Sequence, residues 1–248
     1  MFKKLVAGAL FAGFAAGLIA VLLQFLFVTP LLVQAERYET GELTHVAQIG
    51  GHDHSAHDHP KAVPESQTGH DHTTHIHETP LVFDAGREGL TALFTVFVYV
   101  GYGLMLGAGF AFAHSLGHEI TTRTGLLWGM AGFAALHLAP SFGLPIEMPG
   151  SAAADVVARQ IWWAGTVVST GLAMWMFAYG KGAMHIVLGI AALAVPQVIG
   201  APHPQAFYGP TPPELASLFA SRALVTALVA WSVLGAAAGY FWNTTETA

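Results

Sequence analysis

Long apolar runs separated by short polar segments make up most of this chain. Leu5 to Val33 contains no charged residue, and Lys3 and Lys4 precede it. About 20 apolar residues suffice to cross a bilayer as a helix, so this run predicts a first transmembrane helix. The alternative is a cleaved signal peptide, because Val33-Gln34-Ala35 loosely resembles a cleavage site. The apolar part of a signal is only about 7–15 residues long, however.

Further apolar runs extend the pattern and predict about six transmembrane helices in total. Four runs are clear: Leu90–Ala113, Ile161–Gly180, Ala183–Ala201 and Ser217–Trp242. A fifth, Gly125–Pro140, is short. Five helices are the alternative, if that short run is re-entrant or the runs around Lys181 merge. We therefore expect an all-α polytopic membrane protein, with residues 1–248 forming a single transmembrane domain.

Composition supports a membrane protein and restricts its chemistry. Only 10% of the residues are charged, against about 25% in soluble domains. The chain has no cysteine, so a metal ion would have to be held by imidazole, carboxylate, thioether or backbone oxygen. The net charge of −6 gives no reason to expect nucleic-acid binding. Neither the phosphate-binding pattern G-x-x-x-x-G-K-[ST] nor H-E-x-x-H occurs, so we do not expect an enzyme.

A polar loop over residues 34–89 contains nine of the 14 histidines. Its pattern His-x-His-x-x-His-x-His occurs twice, as His52, His54, His57 and His59 and then as His70, His72, His75 and His77. Imidazole binds cobalt, nickel, zinc and related ions. The loop is expected to be disordered without metal and compact with it. A pH sensor and incidental low complexity are the alternatives.

The charges predict an orientation. Lys3 and Lys4 adjoin the first helix, whose flanking charges usually dominate. With six helices and a cytoplasmic N-terminus, 13 of the 15 acidic residues lie outside. We expect both termini in the cytoplasm and the histidine-rich loop outside.

Other histidines lie in or near the apolar runs and suggest further metal ligands. His137 would form an outer-mouth site with Glu147, Met148 and His203, because ionisable residues in a membrane usually face a cavity or a partner. His114 and His118 are four residues apart, which on a helix places both on one face as an inner site. The alternatives are a packed His137 and two solvated interfacial histidines.

Two other patterns predict helix packing. Glycines four residues apart allow close helix approach; the pairs are Gly13/Gly17, Gly103/Gly107, Gly125/Gly129 and Gly235/Gly239. Arginines at helix starts are disfavoured by the helix dipole. We therefore expect Arg87, Arg159 and Arg222 to pair with Glu88, Asp155, Glu214 or Glu147.

The chain resembles the CbtA family, the proposed cobalt transporter subunit. The most specific part of the resemblance is His137-Leu-Ala-Pro140, Leu144-Pro-Ile-Glu-Met-Pro-Gly150 and Arg159-Gln-Ile-Trp-Trp163. The basic start and histidine-rich loop fit as well. The resemblance implies cobalt uptake linked to cobalamin synthesis and a small single-helix partner, the CbtB subunit. The family is usually described with five transmembrane segments.

Residues and resemblance together predict a multi-pass protein of the bacterial inner membrane that transports a divalent transition metal. Cobalt is the expected substrate, with nickel or zinc possible, and no covalent cofactor is expected. The expected partners are the metal ion, the lipid bilayer and the CbtB-type subunit. The alternatives are an accessory or sensor subunit that binds metal without moving it, and a metal efflux protein.

Overall fold

Helices account for all the regular structure in the residues described, 2–44 and 85–246 of a computed structural model. The α-helices are α1 Phe2–Leu23, α2 Thr29–Glu39, α3 Ala85–Ser115, α4 Thr122–Phe133, α5 Ala139–Gly143, α6 Val156–Tyr179, α7 Ala183–Ile199 and α8 Pro213–Glu246. Two π-helical segments, Gln24–Val28 and Ala134–Leu138, join α1 to α2 and α4 to α5. The all-α prediction is confirmed.

Five helices of the described chain are long and apolar enough to cross a membrane: Lys3–Glu39, Ala85–Ser115, Thr122–Gly143, Val156–Tyr179 and Pro213–Thr244. The apolar helix α7 has 17 residues and is about 25 Å long at 1.5 Å per residue. That is near the lower limit for a crossing. The loop expected over residues 34–89 is shorter than predicted, because α2 continues to Glu39 and α3 begins at Ala85.

The short helix α7 returns along α6 for most of its length. The two helices are joined through Gly180–Gly182 and pack against each other. Near the far end of α7, the Trp162 Nε1–H donates a hydrogen bond of 3.0 Å to the Pro196 carbonyl. Since Trp162 lies near the start of α6, α7 leads back to the level at which α6 begins. The described residues therefore run in six alternating antiparallel passes, of which the five listed above are long enough to cross a membrane.

Contacts at the two ends of the bundle fix its topology. At one end α1 begins and α8 finishes, with the Phe11 and Phe241 rings 6.4 Å apart. We call this the terminal end. At the other end five buried residues form a cluster that we call the collar: Leu31, Ala35, Met148, Leu215 and Phe219. The end of the first pass and the start of the last pass thus meet at the collar.

Glycines allow two pairs of helices, α1 with α3 and α4 with α8, to pack with their backbones in contact. Contacts between α1 and α8 join the two pairs into a row in the order α3, α1, α8, α4. A Cβ atom added at Gly13 would lie 2.5 Å from the Val100 Cα, and one added at Gly125 would lie 2.7 Å from the Gly239 Cα. The close packing predicted from the paired glycines is confirmed. Helices α6 and α7 join this row mainly through α5 and the Ala134–Leu138 segment.

Cysteine mapping tests the passage of α7 across the membrane. The chain has no native cysteine, so Glu119→Cys, Lys181→Cys and His203→Cys each supply one reporter. A membrane-impermeant thiol reagent should label positions 119 and 181 from the same side and position 203 from the opposite side. Labelling of 181 and 203 from the same side would show that α7 does not cross.

Candidate metal centre

The eight octapeptide histidines, from His52 to His77, lie outside the described residues. Their metal binding and the expected disorder of the loop stay predictions. The candidate residues that can be placed in the structure are His114, His118, His137, Glu147, Met148 and His203.

His137 lies in the π-helical segment Ala134–Leu138, three residues before Pro140 of α5. The Ala139 N–H bonds to the Ala134 carbonyl five residues earlier, which widens the helix by one residue. A proline inside a helix supplies no N–H and crowds the preceding turn, and π-helical turns of this kind are frequent at functional sites. The sequence showed the proline but not the π-helical turn.

Aromatic rings surround the His137 imidazole. The Phe133 ring is stacked on it at a centroid distance of 6.1 Å, and the Trp231 ring lies 6.2 Å away in an edge contact. The His137 Nε2 is buried and has no hydrogen-bond partner in the described part of the chain, as is also true of the Trp231 Nε1. An unpaired buried polar atom is costly and calls for an explanation. The His137 nitrogen is therefore suited to take a ligand from outside the chain.

Glu147 and Met148, predicted beside His137, are held by other groups. The Arg159 guanidinium donates a hydrogen bond of 2.7 Å to the Glu147 carboxylate, and both side chains are about 29% exposed. Met148 is only 4% exposed, because its side chain packs in the apolar collar. The ion pair between Arg159 and Glu147 is confirmed. A role for either residue as a metal ligand stays a prediction.

His203 lies in the segment between α7 and α8, where it is exposed and 5.9 Å from the Phe207 ring. Over residues 2–44 and 85–246, no group of three or more His, Asp or Glu side chains is positioned to hold a metal ion. The outer-mouth site predicted from His137, Glu147, Met148 and His203 is thus not assembled as a single cluster of such ligands in this conformation.

His114 and His118 do not share a helix face, so that expectation was wrong. Helix α3 ends at Ser115, and Gly117 then takes a positive φ of 85°, a conformation that suits glycine. The His114 ring lies 6.0 Å from Trp242, whereas the His118 ring lies 4.1 Å from Tyr179. Each imidazole faces a different helix at the terminal end, and metal binding by either one stays a prediction.

Polar side chains bond to backbone carbonyls near the prolines of the broken helices. Pro196 cannot donate to the Ala192 carbonyl four residues earlier, and the Ser169 hydroxyl does so instead at 2.5 Å. The Gln197 amide donates to the Ala139 carbonyl at 3.1 Å. In hydrocarbon each backbone polar group needs such a partner. The sequence analysis did not single out either residue: Ser169 links α7 to α6, and Gln197 links α7 to the start of α5, directly after the segment that carries His137.

An apolar crevice of about 460 Å³ separates α3, α4 and α6. Met105, Trp128 and Met174 are among its lining residues, and glycines and alanines form much of the rest. At the terminal end the Trp128 Nε1–H donates to the Tyr179 hydroxyl at 2.8 Å. A hydrated divalent cation is costly to bring into such surroundings. The crevice suits acyl chains or an apolar helix better than an ion path.

Comparison with known protein families shows which family the chain belongs to. The family described as "Probable cobalt transporter subunit (CbtA)" matches residues 2–243, nearly the whole chain. The chain belongs to the CbtA family. Comparison with curated proteins and with solved structures gave no match.

The CbtA resemblance seen in residues 137–163 is confirmed, and this stretch has a structural role. It contains the π-helical turn at His137, the Glu147–Arg159 ion pair and the Trp162 hydrogen bond to α7. The ion pair joins the segment after α5 to α6, and the Trp162 hydrogen bond joins α6 to α7. In this CbtA-family chain the most specific sequence stretch therefore contains His137 and the contacts that hold α6 to its neighbours.

A double-mutant cycle tests the pairing of Glu147 with Arg159. Glu147→Gln and Arg159→Gln should each lower the thermal stability in detergent. The double variant should lose less than the sum, with a coupling of roughly 0.5–1 kcal/mol for a partly exposed pair. Asp155 supplies the control: its carboxylate accepts from the Ala158 N–H at 2.9 Å, so Asp155→Asn should be additive with Arg159→Gln. Additive losses for Glu147 and Arg159 would contradict the pair.

Proposed function

We propose that this chain is the membrane subunit that carries a divalent transition metal, cobalt, into the cell. Membership of the CbtA family over residues 2–243 is the observation that carries this proposal. The helical architecture with its membrane-spanning lengths supports it. Uptake would serve cobalamin synthesis, with the chain in the bacterial inner membrane and both termini in the cytoplasm.

In the proposed pathway the metal ion is first gathered by the histidine-rich loop and then bound by His137. The histidine-rich loop gathers ions outside the membrane, because its two octapeptides offer eight imidazoles. His137 then receives the ion within the membrane, a role supported by its buried, unpaired Nε2. Conduction requires that each binding step be weak enough for the ion to leave, which fits a site with few protein ligands.

The word subunit in the family description implies a partner. We propose that the partner is a small CbtB-type subunit with a single transmembrane helix. A ligand set that is incomplete within the described residues is consistent with a partner that supplies further ligands.

The last step of the proposed pathway is release of the ion on the cytoplasmic side, where His114 and His118 at the terminal end would bind it.

The second candidate function is a metal-binding accessory subunit that does not itself transport. The lack of a three-ligand cluster within residues 2–44 and 85–246 favours it. Reconstitution separates the two candidates: proteoliposomes with the purified chain, with and without the CbtB-type partner, are assayed for uptake of labelled cobalt. Uptake that requires this chain supports the transporter, and full uptake by the partner alone would overturn it. Net cobalt movement in the outward direction would instead indicate efflux.

Replacing the eight octapeptide histidines by asparagine tests the gathering role of the loop. The half-saturating cobalt concentration should rise by about tenfold, because the loop raises the local ion concentration, while the maximal rate should stay the same. The measurement is initial uptake rate against cobalt concentration.

The control is His185→Asn. The His185 imidazole bonds to the Lys181 carbonyl at 2.6 Å near the terminal end, away from the proposed gathering step, so this change should leave both parameters unaltered. A lower maximal rate with an unchanged half-saturating concentration in the loop variant would contradict gathering.

A further inference from the structure

Arg222 differs from the other two arginines that were expected to form ion pairs. Arg87 pairs with Glu36, and Arg159 pairs with Glu147. The Arg222 guanidinium instead donates to the Phe27 backbone carbonyl at 3.3 Å, and it has no carboxylate partner among the described residues. A guanidinium has five N–H donors. Its positive charge is therefore left without a counter-charge from this part of the chain.

The depth of Arg222 follows from helix lengths. The first pass, Lys3–Glu39, has 37 residues, which at 1.5 Å per residue is about 55 Å. The hydrocarbon core is only about 30 Å thick, so the pass extends beyond it. Phe27, the contact of Arg222, lies about 36 Å along this pass from Lys3. With the hydrocarbon core taken to begin near Lys3, the guanidinium lies near the level where hydrocarbon gives way to lipid headgroups, at the collar end.

A crevice of about 350 Å³ lies between the first pass and α8 and extends from Arg222 toward Val229. Ser221 and Arg222 lie at its end nearer the collar, and the rest of its lining is Leu23, Phe27, Val225, Thr226 and Val229. Polar groups at the headgroup level therefore continue into a mostly apolar trough along the helices. This combination matches a phosphate group joined to an acyl chain.

We propose that this crevice binds one anionic phospholipid, with the lipid phosphate on the Arg222 guanidinium and an acyl chain along Leu23, Val225 and Val229. Arginine binds phosphate oxygens through two parallel hydrogen bonds. An uncompensated charge in a low-dielectric setting is strongly disfavoured. A lipid with net negative charge supplies the counter-charge, whereas the amine of a zwitterionic headgroup already neutralises its own phosphate. The bound lipid would bridge the π-helical segment of the first pass to α8.

Native mass spectrometry of the full chain with phosphatidylglycerol tests the proposal. The wild-type protein should retain one phosphatidylglycerol at concentrations where phosphatidylcholine is lost, and the lipid should raise the melting temperature. Arg222→Gln, which keeps a donor for the Phe27 carbonyl, should weaken phosphatidylglycerol binding at least tenfold. Arg222→Lys should retain part of it.

Two further variants make the test specific. Val225 is 59% exposed, so Val225→Trp can fill the trough without a change at Arg222, and it should also weaken lipid binding. Arg37 pairs with Glu42 at 3.2 Å near the same end of the first pass, and Arg37→Gln should leave lipid binding unchanged.

Three results would overturn the proposal. The first is equal binding of phosphatidylglycerol by the wild type and Arg222→Gln, which would also be the result if a loop carboxylate neutralised Arg222. The second is equal retention of phosphatidylglycerol and phosphatidylcholine by the wild type. The third is the same thermal stabilisation by inorganic phosphate alone, which would assign the effect to a free anion.

Discussion

Backbone hydrogen bonding in a medium without water is the constraint on which this structure depends. Helices satisfy it along most of each pass, but Pro30, Pro140 and Pro196 each remove an N–H donor from a membrane helix. Near Pro30 and Pro140 the chain adopts π-helical turns, and near Pro196 a serine of α6 bonds to the carbonyl that the proline leaves unpaired. The irregular turn at His137 is one consequence.

The glycine contacts determine which helices are held most rigidly against one another. Helices α1 and α3 touch through their backbones at Gly13, and α4 and α8 do so at Gly125. Further contacts between α1 and α8 join the two pairs, so van der Waals packing holds the four helices as one row. Helices α6 and α7 meet that row over a smaller area and leave an apolar crevice beside α4. His137 lies at the junction between the row and this pair, because the Ala134–Leu138 segment contacts both α6 and α8.

The sequence allowed the helices, the glycine-bearing helix faces that pack closely and the Arg159–Glu147 pair to be predicted, because each follows from periodicity or from residues close in the chain. Contacts between distant segments could not be found in this way. The Glu36–Arg87 pair joins residues 51 positions apart, and the hydrogen bond from Gln197 to Ala139 spans 58 positions. The spacing of His114 and His118 misled the prediction, because the helix ends between them at Ser115. The burial of Met148 in the collar could not be predicted either, because it depends on contacts with distant segments of the chain.

Metal binding by His137 within the membrane, independent of the histidine-rich loop, is the step on which the proposed transport depends. The direct test is the visible absorption of bound Co²⁺ in the full chain with all eight octapeptide histidines replaced by asparagine. This variant should still bind about one ion with an absorption typical of nitrogen ligation, and adding His137→Ala should remove the signal. Co²⁺ binding that is the same with and without His137 would show that His137 is not a ligand.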